Sequence, residues 1–384
     1  MSNNPRPAPD GMKERLARPV QWVLGLPFDA VTLDSAVGRI SDAVRHRRRL
    51  FISTPNLNFL IASQSNSSFQ NSVLNSDLSV ADGMPIVWIA RLLGVPIPGR
   101  VAGSDIFEAL MRGGAGPMKV FFFGGEEGVA AEAAERIAAR KGPLSCAGCH
   151  SPGFGPVEQM SSPDIIADIN ASGADFIVVA LGAIKGQAWI ELNREKLSAP
   201  VISHLGAVVN FAAGTVSRAP RWMQKAGMEW LWRIKEEPKL LKRYFDDGWA
   251  LAELFFRNML PLILMRRRQA RELPAVSAIE ISTGGEKVRM VFKAVRPTAG
   301  RLASRTDIAE RMKRARDVEI FVEDAVQLDP SLLGMIFLIR REAARAGLGY
   351  RVTLDGPVCR LNRELEWHRA VELLEPFPRL TKSG

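Results

Sequence analysis

Cysteine is scarce in this sequence, with three residues in a chain of 384. An odd number of cysteines argues against a fold held together by disulfides. Two of the three stand in CAGCH (146–150), which matches the C-x-x-C-H pattern for covalent attachment of c-type haem. No second C-x-x-C and no paired histidines at zinc spacing are present to complete a four-ligand zinc site. We therefore interpret CAGCH as a chance match at the end of a strand.

Long apolar segments are missing too. The N-terminal stretch has no apolar core of the kind that a signal peptide needs. No other stretch supplies the roughly 18 uncharged apolar residues of a membrane span. We expect a cytoplasmic protein, which also speaks against haem attachment because that step normally requires export.

The rest of the composition is that of a folded protein. Hydrophobic residues make up 47% of the chain and charged residues 24%, which is enough to form a large core. The net charge of +10 at pH 7 favours an anionic partner, such as nucleotide phosphate, lipid headgroups or nucleic acid.

Strand-like and helix-like segments alternate from residue 24 to about residue 215. KVFFFGG (119–125) and DFIVVALG (175–182) are typical of buried strands, and GVAAEAAERIAARKG (128–142) is typical of a helix. This alternation predicts an α/β fold with a parallel sheet that is covered on both faces. Ligands of such folds bind at the carboxyl ends of the strands.

Residues 218–271 are basic and rich in tryptophan. They hold thirteen Lys or Arg against six Asp or Glu, and four of the eight Trp of the chain. Amphipathic helices of this composition suit a surface of anionic lipid, although a basic helical pair packed on its own domain is an alternative. The apolar run inside MLPLILMRRRQAR (259–271) is too short to span a bilayer.

A small unit follows. ELPAVSA (272–278) is typical of a linker, and the segments from Ile279 onwards predict an α/β unit able to fold alone. The predicted organisation is a flexible tail (1–23), an α/β core (24–215), a basic aromatic appendage with linker (216–272) and a C-terminal α/β domain (273–384).

Polar residues coincide with loop signals after three strands of the predicted core. Thr54 and Asn56 lie in STPNLNF, Asp82 in VADGMPIVW, and Arg100 and Asp105 in PGRVAGSD. Each has a structural alternative, since Asp82 and Asp105 also suit a turn or a helix cap, and Arg100 suits a surface salt bridge.

Gly124 and Gly125 form a further turn, after KVFFF. It would offer backbone amides to an anion at the start of the next helix. It is not a full G-x-G-x-x-G motif, so no NAD site is predicted.

Taken in order, these stretches resemble the WecG/TagA/CpsF glycosyltransferases (glycosyltransferase family 26). The resemblance rests on TPNLNF, VADGMPIVWIARLLG, RVAGSD and HLGAVVNFAAGTVSRAPRWMQKAGMEWLWRIKEEPKLLKRYF, and it covers about residues 24–247. It implies a Rossmann-like glycosyltransferase domain that moves a sugar from a UDP-sugar to a polyprenyl-diphosphate-linked acceptor. The resemblance also implies that the reaction takes place at the inner face of the cell membrane and serves the synthesis of surface polysaccharides or exopolysaccharides.

The resemblance also implies roles for individual residues. Asp82 matches the proposed base of the family, and Thr54 and Asn56 match residues near the transferred sugar. The appendage is expected to fold over the site. The expected substrate-binding residues are Arg100, Asp105, Gly124, Gly125, Gln187, Asn210, Arg218, Arg221 and Arg233.

No metal or cofactor is expected. Many nucleotide-sugar transferases hold Mn²⁺ or Mg²⁺ through an Asp-x-Asp pair, and no such pair occurs in this sequence. We expect an inverting, metal-independent transfer in which arginines neutralise the departing diphosphate.

The sequence departs from the family in one stretch. Family members usually have G-x-P-x-Q-E after the second buried strand, whereas this chain has LGAIKGQAW. Ile184 replaces the Pro, Gly186 stands at the Gln position, and Gln187 stands at the Glu position. Asn210 stands where the family often has Asp. These differences leave the donor sugar open, and they leave a catalytically inactive scaffold as the alternative function.

The resemblance places CAGCH at a strand end that leads into a loop. The C-terminal unit resembles a STAS domain, with DPSLLG at the turn where those domains carry D-S-S-G-L-G. Ser331 aligns with the Ser that can be phosphorylated, but Leu332 replaces the following Gly. We therefore expect a docking module for other polysaccharide-synthesis proteins without a phosphorylation switch. Nucleic-acid binding is not expected, because the basic residues are interleaved with Trp and apolar residues.

Overall fold

The computed structural model describes residues 11–269, 276–295, 305–323, 328–355 and 358–376. Contacts divide the chain into two compact units. The first, called the six-stranded unit, comprises Phe28–Arg91 and Pro96–Ala252. The second, called the four-stranded unit, comprises the described residues up to Pro27, Leu92–Val95 and the described residues from Glu253 onwards.

The strands are β1 (Val20–Val23), β2 (Leu26–Asp29), β3 (Leu50–Ser53), β4 (Leu78–Ser79), β5 (Met118–Gly124), β6 (Leu144–His150), β7 (Phe176–Ala180), β8 (Val201–His204), β9 (Val276–Gly284), β10 (Lys287–Val295), β11 (Asp317–Val322) and β12 (Gly349–Leu354). The helices are α1 (Met12–Leu16), α2 (Leu33–Arg45), α3 (Leu57–Ser65), α4 (Ser67–Leu74), α5 (Met84–Leu92), α6 (Gly103–Met111), α7 (Val129–Ala139), α8 (Pro163–Ala171), α9 (Ala183–Asn193), α10 (Gly206–Ala213), α11 (Arg221–Lys225), α12 (Glu229–Glu236), α13 (Leu240–Leu254), α14 (Leu260–Gln269), α15 (Arg305–Met312), α16 (Pro330–Ala346) and α17 (Val358–Trp367).

The core of the six-stranded unit is a parallel sheet with the strand order β4-β3-β8-β7-β5-β6. Alternate residues of β5 pack into two separate apolar clusters. Val120 and Phe122 belong to one cluster, and Phe121 and Phe123 belong to the other. A strand whose side chains are buried on both sides has no polar face, which explains its unbroken apolar sequence. The predicted α/β fold with a covered parallel sheet is confirmed.

Short polar side chains decide where several helices begin. Residues 57–74 form two helices, α3 and α4, because Asn66 interrupts the helical run. Its side chain accepts a hydrogen bond from Phe69 N at 2.9 Å and so caps α4. An Asn with an extended backbone is a strong helix start, and it ends the preceding helix at Ser65.

The predicted appendage is helical. It contains α11, α12 and α13, and α13 continues through a π-helical turn, Phe255–Met259, into α14. The described chain therefore has one helix, Leu240–Arg267, that is long and apolar enough to cross a membrane by length and composition alone. This helix contains charged residues, among them Glu253 and Arg257, so it does not contradict the prediction that the sequence has no stretch of roughly 18 uncharged apolar residues.

The four-stranded unit has the strand order β12-β11-β10-β9, in which β10, β11 and β12 are parallel and β9 is antiparallel to β10. A small C-terminal α/β sheet is therefore present, as predicted. The segment 272–278 is not a linker over its full length, because β9 begins at Val276.

The N-terminal segment also differs from its prediction as a flexible tail. Residues 12–23 contain α1 and β1, and Met12 and Trp22 are completely buried. β1 packs against α16, where the Trp22 and Phe337 rings lie 5.6 Å apart. Local sequence patterns do not reveal this role, because each element is only four or five residues long and its partner lies about 300 residues away.

Candidate active site

A cleft of about 920 Å³ opens in the six-stranded unit at the carboxyl ends of its central strands. The residues that line it follow β3 (Thr54), β4 (Asp82), β7 (Leu181) and β8 (Leu205). The strands β3 and β4 lie at one edge of the sheet, and the strands β5 and β6 lie at the other edge. This topology leaves a crevice for a ligand beside the central strands. The volume suits a small organic ligand.

The three residues predicted to act at the transferred sugar, Thr54, Asn56 and Asp82, all line this cleft. Asn56 Oδ1 accepts a hydrogen bond from the backbone N–H three residues later and caps α3. Asp82 N donates to Pro55 O at 3.0 Å, which ties the loop after β4 to the loop after β3. Gly83 has φ of 97°, a conformation that glycine adopts without strain, and it directs the chain into α5.

Asp82 has a pKa near neutrality. Burial is the main cause that raises its pKa from the usual 3.8 to about 7. Among the neighbouring charges, Arg100 and Arg233 lower the pKa, whereas Glu229 and Asp105 raise it. A carboxyl group with this pKa exchanges a proton near pH 7, which is the property of a general base or acid.

One wall of the cleft is an ion-pair network. Arg100 Nη2 donates to Asp105 Oδ2 at 2.7 Å, and its Nη1 donates to Glu229 Oε2 at 2.8 Å. Arg218 donates to the other oxygen of Asp105 and to Glu108, each at 2.6 Å. Arg100 and Glu229 line the cleft, whereas Asp105 and Arg218 do not. Asp105 therefore holds two guanidinium groups in position from outside the cleft.

Two helices begin at the cleft. Leu181 and Gly182 lead from β7 into α9, and Leu205 and Gly206 lead from β8 into α10. The first amides of a helix have no carbonyl partner within the helix, and together with the helix dipole they favour an anion. This end of the sheet is therefore suited to a phosphate group.

Cationic side chains add to this positive potential. Arg233 lines the cleft and donates to Glu237 Oε1 at 3.4 Å. Arg243 also lines the cleft, and its guanidinium carbon lies 5.1 Å from the centre of the Tyr244 ring. Arg243 was not among the residues predicted from the sequence, although it belongs to the KRYF end of the appendage motif.

Part of the lining is apolar. Leu241, Phe245 and Trp249 follow one another at intervals of four along α13 and line the cleft. They remain 58%, 73% and 74% exposed. We call these three residues the α13 stripe. The cleft thus combines a polar, cationic floor at the strand ends with a solvent-exposed apolar border.

The family of this chain follows from comparison with known sequences. The sequence model described as "Glycosyl transferase WecG/TagA/CpsF family" matches residues 21–263, well over half of the chain. The chain belongs to this family. The resemblance predicted from the sequence motifs is therefore confirmed, and the protein is a member of a family of glycosyltransferases.

One relative is the N-acetylglucosaminyldiphosphoundecaprenol N-acetyl-beta-D-mannosaminyltransferase of Bacillus spizizenii (strain ATCC 23059 / NRRL B-14472 / W23). It is 29% identical over 194 residues, which are 50% of this chain and 74% of that protein. Among solved structures, the complex of SsGBP with GDP is 11% identical, covers 68% of this chain and 90% of its own, and has a TM-score of 0.18. A second SsGBP structure, of a variant, is 10% identical, covers 67% and 88%, and has the same TM-score of 0.18. Scores this low carry no argument.

Gly124 and Gly125 do not line the cleft of this family member. The amide of Gly125 donates to Ala180 O at 2.9 Å, so it is not available to an anion. A Cβ on Gly124 would lie 2.8 Å from the same oxygen. These glycines let the ends of β5 and β7 approach closely, and the anion-binding role predicted for them has no support in this geometry.

Gln187 and Asn210 also lie outside the lining. Gln187 is completely buried, and its Nε2 donates to Ser53 Oγ at 3.1 Å beneath the cleft. Asn210 lies in the second turn of α10, and its carbonyl oxygen accepts a hydrogen bond from Thr215 N at 3.1 Å. The side chain of Arg221, a further predicted contact, lies outside the described part of the structure. Substrate contacts by these three residues stay predictions.

Two features of the lining were missed in the sequence. His204, the last residue of β8, lines the cleft, and its Nε2 is hydrogen-bonded to Leu181 O. Asp247 of α13 accepts from Asn58 Nδ2 at 3.3 Å inside the cleft. Neither position carries a motif signal of its own, because a single His at a strand end and an Asp-Asp pair on a basic helix both have ordinary structural explanations.

CAGCH forms most of β6, which lies at the edge of the sheet, so its prediction as a strand is confirmed. A bulge at Ala147 shifts the register, and Cys146 and Cys149 pair with Val120 and Phe122 of β5, two residues of the same apolar cluster. The His150 ring is instead stacked 5.8 Å from the ring of Phe123. Among the described residues, no cluster of three or more His, Cys, Asp or Glu is arranged to hold a metal ion.

Proposed function

We propose that this protein is an inverting glycosyltransferase that moves a hexose or an N-acetylhexosamine from a UDP-sugar to a polyprenyl-diphosphate-linked acceptor. The product would serve the synthesis of a surface polysaccharide or an exopolysaccharide. The observation that carries the proposal is Asp82, a carboxyl group with a pKa of about 7 in a cleft at the carboxyl ends of the sheet. The relative from Bacillus spizizenii supports the acceptor class, because its name states transfer to N-acetylglucosaminyldiphosphoundecaprenol.

In the proposed reaction, the Asp82 carboxylate accepts the proton of the acceptor hydroxyl while the oxygen of that hydroxyl attacks C1 of the sugar. The bond between C1 and the diphosphate oxygen breaks on the opposite side, so the configuration at C1 inverts. UDP leaves with the bonding electron pair. Thr54 and Asn56, which line the cleft with Asp82, would hold the sugar between the base and the diphosphate.

The departing diphosphate needs positive charge as its bond breaks. The N-terminal amides of α9 and α10 and the guanidinium groups of Arg233 and Arg243 supply it from the lining of the cleft. Arg218 contributes indirectly, through Asp105, by orienting Arg100. The proposal contains no metal step, because the sequence has no Asp-x-Asp pair and arginines are present for this task.

The acceptor determines where the enzyme works. A polyprenyl chain requires an apolar surface, and the α13 stripe borders the cleft while staying exposed. We propose that the stripe meets the lipid at the cytoplasmic face of the cell membrane, with the basic residues of the appendage near anionic headgroups. Arg243 and Asp247 of the same helix line the cleft, which favours a peripheral position of α13 over a transmembrane one.

The C-terminal part of the four-stranded unit is proposed as a STAS-like docking module for other polysaccharide-synthesis proteins. Ser331 Oγ donates to Gln21 Oε1 at 2.9 Å, and Ser331 lies in the first turn of α16. A hydroxyl group that is already engaged in this way supports docking without phosphorylation of Ser331.

The test is a transfer assay. Purified protein is incubated with EDTA, a panel of UDP-sugars and a short polyprenyl-diphosphate-sugar acceptor, and UDP release and glycolipid are measured. We expect transfer from one donor, and we expect Asp82→Asn to lower kcat by roughly 100-fold or more. Asp164→Asn is the matched control, since Asp164 is exposed on α8, away from the cleft.

Each outcome of the assay has a distinct meaning. Full activity of Asp82→Asn would remove the base from the mechanism. Activity that EDTA abolishes would contradict metal independence. Failure of the wild-type protein to bind UDP at all would favour the inactive scaffold.

A further inference from the structure

His204 occupies a central position in the cleft. It ends β8, which lies between β3 and β7 in the middle of the sheet. The loops that lead into α9 and α10 start next to it, through Leu181 and Gly206. Its side chain is 8% exposed, and its ring lies 5.9 Å from the ring of Phe59.

The hydrogen bonding of the ring decides which nitrogen is available. Nε2 is bonded to Leu181 O, and because a carbonyl oxygen only accepts, Nε2 carries the hydrogen. Burial lowers the pKa of His204, so the ring is neutral at pH 7 and Nδ1 has a free lone pair. None of the hydrogen bonds among the described residues uses Nδ1, and Nδ1 is not one of the fully buried unpartnered atoms either. It remains available as an acceptor on a residue that lines the cleft.

Two glycines make room for this ring. A Cβ on Gly186 would collide with Cδ2 of His204 and lie 3.1 Å from its Cγ, and a Cβ on Gly206 would lie 3.3 Å from its Nε2. Gly186 lies within α9, where glycine is less favourable than alanine. Although glycine is unfavourable inside a helix, its lack of a side chain at position 186 leaves the space that the His204 ring occupies.

The same pair of residues lies at the departure noted in the sequence. Gly186 stands where family members usually have Gln, and the ring of His204 fills the space next to it. One polar side chain of α9 is thus absent, and a polar side chain of β8 lies against the same site.

We propose that His204 is a specificity-determining residue that accepts, through Nδ1, a hydrogen bond from a hydroxyl or amide N–H group of the sugar nucleotide. The inference rests on the proposed function, since it names the residue of that site which distinguishes one sugar from another. A neutral acceptor discriminates between a sugar that carries a donor group at this point and an analogue that lacks it.

The experiment compares binding of UDP, of the UDP-sugar that the transfer assay selects, and of its deoxy analogues, by calorimetry and by kcat/KM. For the wild-type protein we expect one analogue, lacking the group that faces Nδ1, to bind roughly tenfold more weakly than the intact sugar. His204→Phe, which fills the space without an acceptor, should remove this difference between the intact sugar and its analogue. His204→Asn, which keeps an acceptor near the position of Nδ1, should restore part of it.

A second route does not alter His204 itself. Gly186→Ala displaces the ring and should reduce the discrimination, whereas the same substitution in a His204→Ala background should have no further effect. Thermal unfolding of each variant identifies any that fail to fold. Unchanged discrimination in His204→Phe and in Gly186→Ala, with transfer intact, would overturn the role of His204 and leave the proposed function standing. Absence of any binding of UDP or UDP-sugar to the wild-type protein would overturn both.

Discussion

Two effects act in opposite directions on the pKa of Asp82. Burial raises the pKa to about 7, and the guanidinium of Arg100 is the largest influence that lowers it. If Asp82 is the base, kcat/KM should rise with pH and reach half its maximum near pH 7, because only the ionised carboxylate accepts a proton. Arg100→Gln removes the positive charge, so the midpoint should move to a higher pH. The measurement is kcat/KM against pH for the wild-type protein and the variant.

Arg100→Lys is the matched control for this prediction. It retains the positive charge but not the fork that binds Asp105 and Glu229 together. Its activity should fall while its midpoint stays closer to that of the wild-type protein. A midpoint in Arg100→Gln that stays in place, or moves to a lower pH, would mean that another group controls the profile.

Individual residues differ in how well the sequence predicted their positions. Thr54, Asn56, Asp82 and Arg100 line one cleft. Thr54 and Asn56 follow the apolar strand β3, whereas Arg100 follows the helix α5 and not a strand. Gln187 lies outside the lining of the cleft, because its direction depends on the rotation of α9 over the sheet, and its substrate contact stays a prediction. A single sequence shows that a helix follows a strand, but not which of its residues point beneath the site.

The α13 stripe connects one element to the proposed acceptor. Replacing Phe245 and Trp249 by Ser removes two large apolar side chains that are more than 70% exposed. We expect binding to vesicles of anionic lipid to weaken by roughly tenfold or more. The affinity for UDP should stay the same, since these residues lie on the exposed border of the cleft. Sedimentation with vesicles, together with calorimetry for UDP, measures both effects.

Phe154→Ser is the control for the stripe. Phe154 is fully exposed, belongs to the same unit and does not line the cleft. Equal losses of vesicle binding in this variant and in the stripe variant would show that any exposed aromatic residue contributes to binding. Vesicle binding would then not be specific to the α13 stripe. Cutting the chain after residue 215 is a less specific test, because it also removes Glu229, Arg233 and Arg243 from the cleft.

Elements of the six-stranded unit were predictable because each has a strong local pattern. The buried strands β5 and β7 and the alanine-rich α7 all lie where the sequence indicated. β4 was not predicted, since two residues are too few for any periodicity. The strand order was not predictable either, because it depends on which helices cover which face.

At the scale of the whole molecule, the N-terminal segment is part of the four-stranded unit. Arg15 Nε donates to Glu342, whose side chain is completely buried, at 2.9 Å. Trp22 Nε1 donates to the carbonyl oxygen of His368 at 3.1 Å. These contacts join residues more than 300 positions apart, and no local sequence pattern predicts them. The predicted boundary at residue 273 therefore separates residues that belong to one unit in the contacts of the structure.

This arrangement makes a prediction about Gly334. A Cβ at this position in α16 would collide with Val20 O and lie 2.8 Å from Val20 C, so β1 packs directly on the glycine. Gly334→Ala should force β1 away from α16 and lower the free energy of unfolding of the four-stranded unit by about 1–3 kcal/mol, as overpacking does in other cores. Chemical denaturation followed by Trp fluorescence measures the loss, and hydrogen exchange assigns it to residues 12–23 and α16.

Gly38→Ala is the opposite case in the same chain. Gly38 lies in α2 with nothing within 4 Å of a Cβ, so alanine should leave stability unchanged or raise it by up to roughly 1 kcal/mol. If Gly334→Ala also left stability and exchange unchanged, β1 would not be packed on α16 in solution. The N-terminal segment would then be separable from the C-terminal fold, as the domain prediction from the sequence assumed. Loss of protection in both β1 and α16 would instead show that a stable C-terminal unit requires the beginning of the chain.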